Sequence, residues 1–154
     1  MGEFRGKKRY FHNIWRKVNS FHLELDNESW FNFYHIHLDW DGLGNGSVKI
    51  RREHIKAYFA IYKRVLNELK MFEKSYQSWI LLSDEDAGRD AVYIHTPNPN
   101  KDNFPLKVEK LDWSCNIPST FSDLINLNEF NVAHFNSEAE GWYIIQSKCQ
   151  DIKL

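Results

Sequence analysis

Residues 52–73 constrain this chain more than any other stretch. Ile55, Tyr58, Phe59, Tyr62, Val65, Leu66, Leu69 and Phe72 recur at i, i+3, i+4 and i+7, while Lys56, Lys63, Arg64, Asn67, Glu68 and Lys70 occupy the positions between them. That spacing predicts a helix with one apolar face, which must be buried against something. At about 1.5 Å per residue it would run roughly 33 Å, enough to cross a sheet from edge to edge. Glu53 near its start and Lys70 near its end are placed to complement the helix dipole.

The rest of the chain supplies a sheet for that helix to cover. Residues 30–41, Trp-Phe-Asn-Phe-Tyr-His-Ile-His-Leu-Asp-Trp-Asp, form the most aromatic run. If residues 31–39 are extended, Tyr34, Ile36 and Leu38 share one face, and His35, His37 and Asp39 stand in a row on the other. Residues 79–83 and 91–96 read as two strands joined by the acidic link Asp84-Glu85-Asp86-Ala87-Gly88-Arg89-Asp90. Residues 106–111 alternate as an edge strand would. Pro118 opens a short helix reaching about residue 127, and residues 130–135 and 142–147 form a final hairpin turning at 137–141. Tyr10, Phe11, Ile14, Trp15 and Val18 predict a short amphipathic helix over residues 7–19. The expected fold is α+β: a mainly antiparallel sheet of about five to six strands, one long helix on a face, and a short N-terminal helix. At 154 residues one domain is expected, 1–154, with 1–6 and 150–154 frayed.

Composition narrows the function classes. A net charge of −1 argues against nucleic-acid binding through the overall field. No run reaches the length of a membrane span, and the N-terminus lacks the apolar segment of a signal peptide, so a soluble cytoplasmic protein is expected. Cys115 and Cys149 are isolated from each other and from any metal or redox motif, which suits a reducing compartment and leaves one disulfide as an alternative. Charge is uneven along the chain. Arg5, Lys7, Lys8, Arg9, Arg16 and Lys17 oppose Glu3 alone in residues 1–20, whereas residues 111–147 hold no Lys or Arg.

Three chemistries can be weighed on particular residues. Same-face neighbours on a strand lie roughly 6.5–7 Å apart, so His35 and His37 could converge on zinc or another divalent metal, with Asp39 beside them. His35-Ile36-His37-Leu38-Asp39 resembles the H-x-H-x-D of metallo-β-lactamase-fold hydrolases, which implies a metal-dependent hydrolase. Trp40 stands where that family has a histidine, so a further ligand would come from His95, His134 or Asp41. The H-x-[ST] pair of two-histidine phosphoesterases is not matched, because Thr96 follows His95 directly and neither His35 nor His37 has Ser or Thr two places on. No G-x-S-x-G occurs, and the glycines of residues 42–46 lack both the Walker lysine and the G-x-G-x-x-G spacing.

The second chemistry is non-catalytic docking. An acidic hairpin tip, an acidic C-terminal third and 16% aromatic residues suit a surface that binds a basic protein, since carboxylates steer the encounter and rings anchor it. In size, composition and α+β organisation the chain resembles the immunity proteins of bacterial toxin systems. That resemblance implies a non-enzymatic antitoxin whose partner is a cognate toxin, such as a nuclease with a basic cleft. The residues expected to make contact are Asp84, Glu85, Asp86 and Asp90, with Tyr93 and Trp142 as anchors, and no metal or cofactor is required. A third possibility is RNA binding through Lys7, Lys8 and Arg9 and the nearby rings.

Overall fold

The computed structural model describes residues 7–23, 34–38, 48–71, 77–83, 90–95, 111–137 and 140–149. Their elements run α1 (Lys7–Asn19), β1 (Tyr34–Ile36), α2 (Val48–Leu69), β2 (Gln77–Ser83), β3 (Ala91–His95), a single 3-10 turn (Ser122–Leu124), β4 (Phe130–Ser137) and β5 (Glu140–Ser147). The strands form one antiparallel sheet in the order β1-β3-β2-β5-β4. The fold is therefore α+β, with five strands and two helices among the described residues.

Helix α1 occupies the predicted residues. Tyr10, Ile14 and Val18 are buried at four-residue spacing, and Arg16 and Lys17 in its last turn favour the negative end of the dipole. Helix α2 differs from expectation at both ends. It begins at Val48, because Arg51 extends the inward stripe by one turn, and its end is closed by the Met71 amide on the Glu68 carbonyl. The expected dipole pairing is absent as a result: no acid lies in the first turn and no base in the last. Glu53 sits in the second turn, bonded to Lys56 at 3.1 Å, and Lys70 follows the helix.

The two helices run parallel. Tyr10 Oη meets His54 Nε2 at 2.6 Å near their N-termini, while at their far ends Arg64 donates to the Phe21 carbonyl and the Leu23 amide donates to Glu68. Because they run the same way, the chain must return between them, and β1 lies on that return.

Strand β1 is shorter than the predicted 31–39. Residues 31–33 and 39 lie outside the described part, but His37 and Leu38 have a physical reason to leave the ladder. The Leu38 amide turns to Tyr58 Oη (2.9 Å) and His37 Nδ1 to the Asp90 carbonyl (2.9 Å). The predicted alternation nonetheless holds there: Ile36 and Leu38 are buried in the main core and His37 is exposed. The predicted helix from Pro118 to about residue 127 reduces to the 3-10 turn. The Pro118 carbonyl receives both the Phe121 and Ser122 amides, and Asn126 then gathers the amides of Asn128, Glu129 and Phe130 into a separate turn. The predicted edge strand at 106–111 lies outside the described residues except for Leu111.

Both faces of the sheet are buried. Ile80, Leu82, Val92, Ile94, Val132 and Ile145 face the helices and join the main core. Trp79, Leu81, Trp142 and Ile144 form a second cluster on the opposite face, with Tyr93, Leu111 and Phe135 packed against it. This explains why the strands read as nearly continuous apolar runs: β2 is buried from Ser78 through Ser83.

The ladder between β2 and β5 stops at Ile80 and Ile145. In the same register Trp79 would face Gln146, and Ser78 would face Ser147. Instead Tyr62 Oη stands between them, donating to the Ser78 carbonyl at 2.8 Å and accepting from the Ser147 amide at 3.0 Å. Burial pushes that hydroxyl well above the ordinary tyrosine range, so it remains a donor.

Candidate functional site

The most polar buried place in the described structure is the end of the sheet where α2 begins. Arg51, Ile55, Tyr58, Tyr62, Val65 and Leu69 lie on one helix stripe, so Arg51 is carried inward with the apolar side chains. Its guanidinium bonds the Asp90 carboxylate through Nη1 and the Ser83 carbonyl through Nη2 at 2.8 Å. The other Asp90 oxygen accepts the Ser83 amide at 3.0 Å. Arg51 is 7% exposed and Asp90 0%, so neither charge has water to compensate for the loss of its partner. The Asp90 carbonyl receives two further bonds, from Tyr58 Oη and His37 Nδ1, both at 2.9 Å. A carbonyl only accepts, so Nδ1 carries the proton in this bond.

This arrangement revises one expected contact residue. Asp90, expected on the acidic hairpin tip, is instead a buried structural carboxylate that closes the base of the 84–89 link. Asp84, Glu85 and Asp86 lie outside the described residues. Trp142 is only 8% exposed, because it belongs to the second core cluster; Tyr93 is half-buried, stacked on Trp79 at 5.6 Å between ring centroids, and burial raises its hydroxyl pKa. Neither ring stands out from the surface as an anchor would.

For the metal candidates, His35 pairs through its backbone with Tyr93 in the outer register, but its side chain lies outside the described part, as do Asp39 and Asp41 and the His95 side chain. His134 lies apart on β4, against the Tyr143 ring at 4.7 Å. Among the described residues, no three His, Cys, Asp or Glu side chains gather to hold a metal ion. Neither Cys115 nor Cys149 is in a disulfide. No helix among the described residues is long and apolar enough to cross a membrane.

The flank formed by residues 111–129 carries what sequence reasoning missed. Asp112 and His134 exchange two backbone hydrogen bonds, 2.7 and 2.9 Å, which tie residue 112 to the side of β4 that faces away from β5. The Asp112 carboxylate then accepts the Ser114 hydroxyl (2.7 Å) and amide (2.9 Å), and those bonds lower its pKa. Trp113 sits at the apex of this braced turn, 43% exposed. Further along, Arg52 forks onto both oxygens of Asp123 at 2.6 and 2.7 Å and also bonds the Thr120 carbonyl at 2.8 Å. That fork holds the Asp123 carboxyl below its usual range and raises the Arg52 pKa. Leu127 is exposed near Glu129. The signal for Trp113 was present in the sequence as a lone Trp between Asp112 and Ser114. Nothing local distinguished it from the buried Trp79 and Trp142.

No family model, curated protein or solved structure matches this chain.

Proposed function

We propose that the protein is a non-enzymatic binding protein of immunity or antitoxin type that docks on a basic protein surface, such as that of a toxin nuclease. The observation that carries this reading is Trp113. It is one of three large apolar side chains exposed among the described residues, and its turn is braced both by the edge of β4 and by Asp112. An aromatic side chain held in place before binding loses little freedom when it inserts into a pocket. Asp112, Asp123 and Glu129 are exposed around the same flank, and residues 111–147 contain no Lys or Arg to oppose a cationic partner. Asp84, Glu85 and Asp86 remain the proposed steering residues on the hairpin link.

The test is calorimetric titration against the product of the adjacent reading frame. Trp113→Ser is expected to weaken binding at least about tenfold, equivalent to about 1.4 kcal/mol. Changing Asp84, Glu85 and Asp86 together to Ser is expected to slow association and flatten its salt dependence. Affinity unchanged in both variants would remove this reading.

A metal-dependent hydrolase at His35, His37 and Asp39 is the second reading, and the His37 bond supports it. A ring oriented by an Nδ1 bond to a backbone carbonyl is the usual arrangement of a metal-ligating histidine. Elemental analysis of untagged protein tests it: stoichiometric metal, lost in His37→Ala, is the expected result, and protein without bound metal rules it out.

A further inference from the structure

We propose that the solvent face of α1 is a docking surface for the phosphate backbone of a nucleic acid. Lys8, His12 and Arg16 follow one another at four-residue spacing, and Arg9 lies beside them three residues before His12. All four fall within a stripe about 100° wide, opposite the buried Tyr10, Ile14 and Val18. All four are exposed. From Lys8 to Arg16 the row extends roughly 12 Å along the helix axis.

Nothing described on the molecule neutralises this row. Helix α1 contains no acidic residue. Among the described residues no carboxylate pairs with Lys8, Arg9 or Arg16, and the described bond of the Arg16 guanidinium goes to the neutral Asn13 side chain at 2.7 Å. The two acids of α2 are engaged elsewhere, Glu53 by Lys56 and Glu68 by the Leu23 amide. The net charge of −1 therefore conceals a local cationic ridge whose field differs from that of the whole protein.

The form of the ridge selects the occupant. A lipid surface requires an apolar helix face to insert, and the apolar face of α1 is already spent on α2. An acidic protein partner requires apolar or aromatic anchors among the charges, but the large apolar side chains exposed in the described structure are Met71, Trp113 and Leu127, none of them on α1. Binding to a phosphate backbone needs only the cations, and guanidinium groups suit phosphate through their forked donors.

Fluorescence anisotropy with the full chain and labelled oligonucleotides, single-stranded and duplex, over a salt series tests the assignment. Three permanent cations predict a log–log salt slope of about −2 on single strands and about −3 on duplex. Changing Lys8, Arg9 and Arg16 together to Ser is expected to abolish most of that slope and to weaken binding at least about tenfold at low salt, with circular dichroism unchanged. Arg9→Gln alone, expected to lower the slope by about one on duplex, carries the same test should the triple variant unfold. Absence of binding at low salt, a slope indifferent to these changes, or tighter binding to polyglutamate or to phosphatidylserine vesicles than to either oligonucleotide would overturn the proposal.

Discussion

Arg51 and Arg52 are consecutive on α2, yet Arg51 turns into the end of the sheet and Arg52 turns out to the flank at Thr120 and Asp123. Each pairs with an aspartate far along the chain, and each also bonds a backbone carbonyl. The environments differ: the Arg51–Asp90 side chains are 8% and 0% exposed, those of Arg52 and Asp123 28% and 63%. In the exposed pair, water replaces whatever is lost. In the buried pair each group has exchanged water for its partner, so the pair contributes little by existing and costs a great deal when halved. The same two residue types thus act as a cornerstone in one place and as a clasp in the other.

Removing half of the buried pair should have the largest effect. Asp90→Ala leaves the Arg51 charge and the Ser83 amide without their partner, and a loss of about 3–5 kcal/mol in urea unfolding is expected. Arg51→Met combined with Asp90→Leu should be less harmful than Asp90→Ala alone, because two charges are removed together; a double-mutant cycle measures that coupling. If the double variant proved no better than the single one, the Ser83 bonds rather than the charges would be the important part. Tyr58→Phe comes next, at about 1–3 kcal/mol, since the buried Leu38 amide loses its acceptor.

The exposed pair should respond most weakly to mutation and most clearly to pH. Asp123 is held below its ordinary range by Arg52, so its contribution is fully present above about pH 4, the unfolded-state value, and is lost as pH falls through the lower folded-state value. Asp112, lowered by Ser114, behaves in the same sense. In Arg52→Ala, stability at neutral pH should change only slightly, and the acid-side decline should become shallower when urea melts at neutral and acid pH are compared. A loss at neutral pH as large as that of Asp90→Ala would break the contrast between the two arginines.

What could be read from the sequence follows from how local each signal is. The stripe of α2, the faces of α1 and the final hairpin rest on neighbours within a turn or a pair of strands, and they were recovered apart from the ends. The inward turn of Asp90 rests on a partner 39 residues away. It was hidden by an acidic run that looked like solvated surface. The missing clue was Arg51 itself: a charge at a stripe position must find an opposite charge inside, and the hairpin base was available to supply it. The limit of β1 was equally unreadable, because Tyr58 and the Asp90 carbonyl draw Leu38 and His37 away from a run whose alternation favours a longer strand. Trp113 shows the converse problem. Trp79, Trp113 and Trp142 look alike in sequence, and only the packing against β4 and the second core cluster distinguishes the two that are buried from the one displayed.

The hydroxyl of Tyr62 acts as a wedge in a fork. Beyond Ile80 and Ile145 the sheet divides into a three-stranded prong and a two-stranded prong, and a single oxygen sets the gap between them. The two groups it separates, an amide and a carbonyl, are natural partners for each other. A phenylalanine there would leave a wound that the protein can suture for itself by drawing the prongs together, at the cost of a different twist. At this end of the sheet, the two prongs are joined through one phenol.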